Sequence, residues 1–194
     1  MSKLELWYPI KKPIVTQVFG VNGKWYQDHG IDIRGHNGID FMAYHGQPIR
    51  AAHDGVVIFS GVDDRSGEGI ELVSTEKFNI GGINANAKTI YWHMEKGGRN
   101  VQVGDVVKTG QVLGYADSTG LSTGDHLHFG LKRVILWNVG IGATTLDPDN
   151  GYLGAIDPTP YWSKYAAEDA TNVLSIYNKI IALLKQAIAS YKTT

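Results

Sequence analysis

Two short motifs contain residues that could bind a metal ion. The first is His36-Asn-Gly-Ile-Asp40, and the second is His126-Leu-His128. Alternate residues of a strand point to the same face, so the two histidines of the second motif would project into one site while Leu127 faces the core. Two histidines and one carboxylate form a known catalytic zinc set that leaves a fourth position for water. Together the motifs indicate a hydrolytic metal centre.

Each motif taken alone has a simpler interpretation. A His-x-His pair is also typical of an ordinary surface or core strand, and His-x-x-x-Asp is less specific still. The chain of 194 residues has seven histidines and no cysteine. This excludes disulfide frameworks, thiolate zinc fingers, iron–sulfur clusters and cysteine nucleophiles. Any metal must therefore be bound through nitrogen and oxygen.

The overall composition excludes several other classes of protein. The 24 glycines follow no repeat period, which with 43% hydrophobic residues indicates many tight turns rather than collagen or disorder. The net charge of −1 and the absence of Lys/Arg runs argue against a nucleic-acid-binding protein. No apolar run approaches the roughly 20 residues of a membrane span, and no signal peptide is visible at the start.

Short apolar runs between glycine turns must position the motifs. From Trp7 to about Val139 these runs are strand-sized, and no helix-period segment of useful length interrupts them. We therefore expect a mainly β fold, an antiparallel β-sandwich or barrel-like sheet, in a domain over residues 1–139. Residues 46–57 (GQPIRAAHDGVV) and 104–114 (GDVVKTGQVLG) resemble each other as half-hairpins and suggest an internal echo.

After this strand-rich part the chain changes character. Residues 140–162 have proline and glycine turns in place of any period, and they are expected to form a structured loop or linker. Residues 163–194 are rich in alanine, lysine and leucine, and their apolar residues recur at steps of three and four. This pattern predicts a C-terminal amphipathic α-helix. Such a helix packs on its own sheet or on another copy, so self-association through it is a further expectation.

The sequence around the two motifs resembles a known family. The stretches GHNGIDFMAYHGQPIRAAHDGVV, TIYWHM and VQVGDVVKTGQVLGYADSTGLSTGDHLHFGL are similar to the lysostaphin-type (LytM-like) zinc endopeptidases, over about residues 34–131. The resemblance implies the duplicated hybrid motif fold and a bound Zn²⁺. It also implies hydrolysis of the peptide cross-links of bacterial peptidoglycan.

The resemblance assigns a role to each of five residues. His36 and Asp40 match the family's first two zinc ligands, and His128 matches the third. His93 and His126 match the two catalytic histidines. Which of them acts as general base and which stabilises the oxyanion is left open. A dication held by two neutral imidazoles and one carboxylate lowers the pKa of bound water and polarises a peptide carbonyl. The set is therefore suited to peptide hydrolysis at neutral pH.

Two positions depart from the family pattern, and one segment looks expanded. Asp125 and Gly130 stand where many relatives have proline and glutamate, and neither is a ligand position. We expect residues 75–88 to form an enlarged hairpin loop near the substrate groove.

Other polar residues have less specific surroundings. His29, His45 and His53 are expected in turns or at the surface rather than as ligands. Tyr26 and Tyr91 could each donate a hydrogen bond to an oxyanion, although tyrosines in strands are more often packing residues.

Three classes of function fit the sequence to different degrees. A zinc endopeptidase acting on peptidoglycan is favoured. The alternative is a non-catalytic wall-binding or regulatory module on the same fold, although degenerate relatives of that type usually lack ligands. The half-hairpins also resemble biotinyl and lipoyl carriers and the sugar phosphotransferase enzyme IIA, but Lys108 lacks the methionine neighbour of a carrier lysine.

The route to the cell wall is a separate expectation. An endolysin released through a phage lysis pore, or an enzyme carried in the virion, would reach peptidoglycan without a signal peptide. A chain trimmed of its signal would do so as well.

Overall fold

Short strands closed by tight turns build most of the chain. The computed structural model describes residues 2–163 and 180–181. The strands are β1 (Val15–Gln17), β2 (Ile39–Met42), β3 (Pro48–Arg50), β4 (Gly55–Asp63), β5 (Gly67–Ile80), β6 (Ile83–Met94), β7 (Val106–Val107), β8 (Val112–Tyr115), β9 (His126–Leu136), β10 (Ala143–Thr145) and β11 (Ala155–Ile156). A helix, α1 (Gly23–Asp28), and a 3-10 turn (Thr159–Tyr161) complete the described elements.

The large sheet has the strand order β1-β2-β9-β6-β5-β4-β7, and β10 and β11 also pair with β9. A small second sheet contains β3 and β8. The strand pairs are antiparallel. The mainly β, antiparallel fold that the glycine-punctuated pattern predicted is therefore confirmed.

The two similar half-hairpins of the sequence pair with each other. In the small sheet Ile49 lies opposite Gly114, and in the large sheet Gly55 lies opposite Val107. Each half-hairpin thus contributes one strand to each sheet. The similarity of the two segments in sequence therefore has a structural counterpart, because the strands of each segment pair with the strands of the other.

Strand β9 separates the core from the functional face. Leu127, Phe129 and Leu131 are fully buried on one side. Phe129 packs edge-on against Phe41 and Tyr91, with ring centroids 6.5 and 5.4 Å apart. Burial of each large apolar side chain contributes about 1.5–3 kcal/mol. Because side chains alternate along the strand, this packing holds the residues between them on the opposite face.

Residues 75–88 form a hairpin, but the prediction of an enlarged loop is wrong because these residues are mostly paired strand. Strand β5 continues to Ile80 and β6 begins at Ile83, so the two strands are joined by the pair Gly81-Gly82. Both glycines have positive φ, 60° and 85°, as a tight hairpin turn requires. The polar composition concealed the strands because some polar side chains are buried with partners. Asn86, for example, donates to the Ser74 carbonyl oxygen at 2.8 Å.

Two further segments differ in detail from the sequence expectations. The short helix α1 interrupts the strands where no helix was expected. Residues 140–162, expected as a loop or linker, include β10 and β11, which both pair with β9.

Of the predicted C-terminal helix, Ile180 and Ile181 are helical, and the rest lies outside the described residues. Self-association through it stays a prediction. Among the residues described, no helix has the length and apolarity needed to cross a membrane.

Candidate metal centre and catalytic cleft

The pairing of β2 with β9 brings two potential ligands face to face. Asp40 lies directly opposite His128 in the antiparallel register. Asp40 Oδ1 is 3.1 Å from His128 Nδ1. His36, in the turn before β2, places its Nε2 2.9 Å from His128 Nδ1 and 3.0 Å from Asp40 Oδ1. Three donor atoms from three residues therefore converge on one point.

This donor set fits a zinc ion. Tetrahedral zinc with ligands at 2.0–2.1 Å separates its ligand atoms by about 3.3 Å. The three observed separations of 2.9–3.1 Å are slightly shorter. A movement of a few tenths of an ångström would admit the ion. Two imidazole nitrogens and one carboxylate oxygen are also the donor types that zinc prefers in catalytic sites.

Hydrogen bonding sets the tautomer of His36. Its Nδ1 is 3.2 Å from the carbonyl oxygen of Val18. A carbonyl oxygen accepts and cannot donate, so Nδ1 carries the hydrogen and Nε2 presents a bare lone pair to Asp40 and His128. The sequence held no signal for this contact, since Val18 is 18 residues away.

The ionisation of the centre suits a cation. Burial raises the pKa of Asp40, but the hydrogen bond from His128 and the nearby imidazoles outweigh this effect and hold the pKa well below its usual range. Burial also lowers the pKa of His128, although Asp40 opposes the shift. At neutral pH the centre therefore has an ionised carboxylate and a neutral imidazole. These are the protonation states that metal binding requires.

His93 and His126 lie next to the three converging residues. Their ring centroids are 4.6 Å apart, and the ring of His93 is 6.1 Å from that of His128. His126 Nε2 is 3.9 Å from Asp40 Oδ2. The five residues that the family resemblance selected are therefore brought together in one place.

The two additional histidines share one hydrogen-bonding arrangement. His93 Nδ1 is 2.7 Å from the Thr119 carbonyl oxygen, and His126 Nδ1 is 2.8 Å from that of Gly124. Each carbonyl fixes the hydrogen on Nδ1, which leaves Nε2 as a proton acceptor. Burial lowers the pKa of His93 to about 4, so this ring is neutral at pH 7.

The centre opens into a cleft of about 650 Å³. Its lining includes apolar side chains such as Trp25 of α1 and Leu153 of the segment before β11. It also includes polar side chains such as Asp63, Arg65 and Ser122. The cleft therefore offers an extended peptide both apolar contacts and hydrogen-bonding groups beside the three converging residues.

The two candidate tyrosines have different positions. Tyr26 lines the cleft, and its ring lies parallel to that of His36 with centroids 6.1 Å apart. Burial, followed by the charge of Asp40, raises the pKa of Tyr26 to about 12, so its hydroxyl stays protonated. Tyr91 is fully buried, and its hydroxyl accepts from the Ala52 amide at 2.9 Å. Tyr91 is therefore a packing residue, while Tyr26 remains available to the cleft.

The three histidines expected outside the site are tied to other partners. His29 directly follows α1, and its Nδ1 is 2.8 Å from the carbonyl oxygen of Trp25. His45 is largely exposed, and its Nδ1 lies 3.3 Å from Asp117 Oδ1. His53 is buried rather than at the surface, which corrects the expectation for this residue, and its Nε2 is 3.0 Å from Thr89 Oγ1.

The positions that depart from the family pattern also lie outside the ligand set. Asp125 Oδ2 accepts from the His45 amide at 3.1 Å. Gly130 is buried on β9, two residues beyond His128.

The sequence analysis assigned no role to Gly38, which the close approach of His36 and His128 requires. A Cβ at this position would lie 2.5 Å from the Phe129 carbonyl oxygen and 2.7 Å from His128 Cε1. Contacts this short do not occur, so only glycine lets the turn after His36 approach the His128 ring. The glycine inside the His36–Asp40 motif was the available signal.

Comparison with known proteins agrees with this geometry. The model of peptidase family M23 matches residues 34–148. Lysostaphin of Staphylococcus simulans is 32% identical over 167 residues, which cover 77% of this chain and 31% of the relative. The glycyl-glycine endopeptidase ALE-1 of Staphylococcus capitis is 37% identical over 100 residues, or 52% of this chain and 25% of the relative. The chain thus spans about a third or less of the length of these curated relatives.

Solved structures give the same result. The catalytic domain of lysostaphin from Staphylococcus simulans superimposes with a TM-score of 0.50 at 26% identity, covering 72% of this chain and 96% of that domain. A zinc-containing peptidase from Vibrio cholerae superimposes with a TM-score of 0.56 at 25% identity, covering 80% and 39% of the two chains. Since the family match also extends over more than half of the 194 residues, the chain belongs to peptidase family M23 and is a lysostaphin-type (LytM-like) peptidase.

Proposed function

We propose that the protein is a zinc-dependent endopeptidase that hydrolyses peptide cross-links of bacterial peptidoglycan. One observation supports this above all others: the donor atoms of His36, Asp40 and His128 converge within 2.9–3.1 Å, beside two further histidines in an open cleft. Membership of the M23 family and the likeness to lysostaphin support the substrate class.

The proposed chemistry divides between ligands and proton carriers. Zn²⁺ held by His36, Asp40 and His128 supplies a Lewis acid that lowers the pKa of water and polarises the scissile carbonyl. His93 and His126 each have Nδ1 bonded to a backbone carbonyl oxygen, so each presents its Nε2 beside that point. One accepts a proton from the attacking water, and a proton is returned to the departing amine. The centroids of the two rings are 4.6 Å apart, a spacing that would let both serve one reacting group.

Tyr26 is proposed to stabilise the developing negative charge. Its hydroxyl accepts a hydrogen bond from Gln17 Nε2 at 2.9 Å, which leaves its own hydrogen free for donation into the cleft. Its raised pKa keeps that hydrogen in place at neutral pH. Such donors act on charge that is present only in the transition state.

The experiment that tests the proposal compares two kinds of purified wall. Walls cross-linked by glycine bridges and walls cross-linked directly between stem peptides are digested, and new amino termini are identified by mass spectrometry. Release from either kind supports an endopeptidase and names the bond. No release from either kind, with zinc shown to be bound by elemental analysis, would favour a non-catalytic wall-binding module on the same fold.

Delivery by a phage, through a lysis pore or within the virion, stays a proposal. It predicts that expression inside a susceptible bacterium causes lysis only when a pore-forming protein is co-expressed. The genes beside this one would then encode lysis or tail proteins. Lysis without a pore would contradict this route.

A further inference from the structure

His93 is the extra residue of a β-bulge. Glu68 of β5 pairs with Met94 of β6, and Gly69 pairs with Trp92, so His93 has no partner across the ladder. Its φ is +64°, in the left-handed region that side-chain-bearing residues rarely adopt. A bulge turns a side chain away from the direction that the regular pleat would give it. The bulge therefore decides where the imidazole points.

The hydroxyl of Thr119 bridges the two strands at this bulge. Thr119 Oγ1 donates to the Met94 carbonyl oxygen at 2.6 Å and accepts from the Glu68 amide at 3.1 Å. Glu68 and Met94 are cross-strand partners, and they lie immediately beside His93. The Thr119 side chain, from the loop before β9, thus bonds to backbone groups of both strands at the point where the bulge interrupts their regular hydrogen bonding.

The backbone carbonyl of Thr119 forms a hydrogen bond with the His93 ring. It accepts from His93 Nδ1 at 2.7 Å, the shorter of the two carbonyl contacts to the proton-carrying histidines. The proton is therefore held on Nδ1, and the Nε2 lone pair is directed at the cleft. The same residue sets both the direction and the tautomer of the ring.

Glycine backbones keep Thr119 in this position. A Cβ on Gly67 would lie 2.4 Å from the Thr119 carbonyl carbon, and a Cβ on Gly120 would lie 2.4 Å from the Gly67 nitrogen. The Leu121 amide also donates to the Arg65 carbonyl oxygen at 2.6 Å. The loop is therefore in direct backbone contact with the β4–β5 turn, with no side chain between them.

We propose that Thr119 is a positioning residue for His93. Its hydroxyl maintains the bulge, and its carbonyl keeps the ring in the Nδ1-protonated tautomer with Nε2 facing the cleft. This role builds on the proposed function, because it affects turnover only if His93 moves a proton. Its structural part, the state of the His93 ring, can be measured without any substrate.

The first test compares three variants of the full chain. Thr119→Val keeps the shape but removes the hydroxyl, and Thr119→Ser keeps the hydroxyl. Thr144→Val is the matched control, since it removes a threonine hydroxyl that accepts from Trp137 Nε1 at 3.0 Å on β10. We expect Thr119→Val to lower kcat by about 10- to 100-fold, with KM and zinc content unchanged. Thr119→Ser and Thr144→Val should retain wild-type kcat. A wild-type kcat in Thr119→Val would overturn the proposal.

The second test records two-bond ¹H–¹⁵N correlations of ¹⁵N-histidine-labelled protein. The wild type should show His93 protonated at Nδ1, and Thr119→Val should show a mixture of tautomers. Finding His93 protonated at Nε2 in the wild type would overturn the proposal even if no variant folds. An unchanged His93 spectrum in a slow Thr119→Val variant would overturn it too. If the wild type cleaves no wall peptide but the His93 spectrum changes as expected, the proposed function fails and the positioning role stands.

Discussion

Asp40 and His128 are directly opposed residues of adjacent antiparallel strands, with Oδ1 and Nδ1 3.1 Å apart. The cross-strand register itself therefore brings together two of the three converging donor residues. His93 and His126 lie beside these residues but contribute no atom to the three converging donors. The proposed ligands and the proposed proton carriers are therefore different residues, and substitutions should affect them separately.

Asp40→Ala should abolish zinc binding, whereas His93→Ala should retain zinc and lose activity. We expect kcat in His93→Ala to fall by about 10²- to 10⁴-fold, the usual contribution of a proton-transferring side chain. Elemental analysis after dialysis and peptide-release assays measure the two effects. His29→Ala, which removes a histidine outside the centre, should change neither. Full activity in His93→Ala would refute its assigned role.

Tyr26→Phe should lower kcat by about 10- to 100-fold while zinc content is unchanged, because a hydrogen-bond donor to the transition state is lost. Tyr91→Phe removes the same hydroxyl from the core and leaves the Ala52 amide without its acceptor. We expect that control to keep its kcat but to lose about 1–3 kcal/mol of unfolding free energy. Equal kcat in the two variants would contradict the role of Tyr26.

Gly38→Ala should weaken zinc binding by at least about tenfold, since the added methyl displaces the His128 ring that the backbone now touches. Gly130→Ala is the matched control on the same strand as His128. There the added Cβ would meet Ile90 at 3.4 Å, which is ordinary contact. Zinc affinities from competition with a chromogenic chelator distinguish the two variants. Equal affinities would show that the close approach at Gly38 does not position the ligand.

Acid should destabilise the fold through His53. Burial lowers its pKa from 6.5 to about 4. Between these pH values the unfolded chain binds more protons than the folded chain, so stability falls as the pH falls through this window. The full loss from this group is about 3 kcal/mol.

The measurement compares urea unfolding of the wild type and His53→Gln, both metal-free, at pH 7 and pH 4. The wild type should lose more stability than the variant over this range, because the shifted pKa values of the other histidines are common to both proteins. Parallel pH profiles would refute the assignment to His53.

The amino-acid pattern predicted the alternation of β9 correctly. Leu127 is fully buried, as an apolar residue between two strand histidines should be. Gly38 and Thr119 could not be assigned in the same way, because their effects depend on distances to residues far along the chain. His93 was selected through the family resemblance, since the spacing of a single histidine predicts no bulge. The polar strands over residues 75–88 were missed because buried polar pairs have the same composition as a loop.

Strand β9 pairs with β2, β6, β10 and β11, so it has hydrogen-bonded neighbours on both of its edges. Amide hydrogens in such a strand exchange with solvent only when the whole domain unfolds, whereas loop amides exchange through local opening. We expect the amides of residues 127–131 to be among the slowest to exchange, whether or not zinc is bound. If zinc binds as proposed, it could then leave and rebind without refolding of the chain, and metal-depleted protein would be recoverable by adding zinc alone.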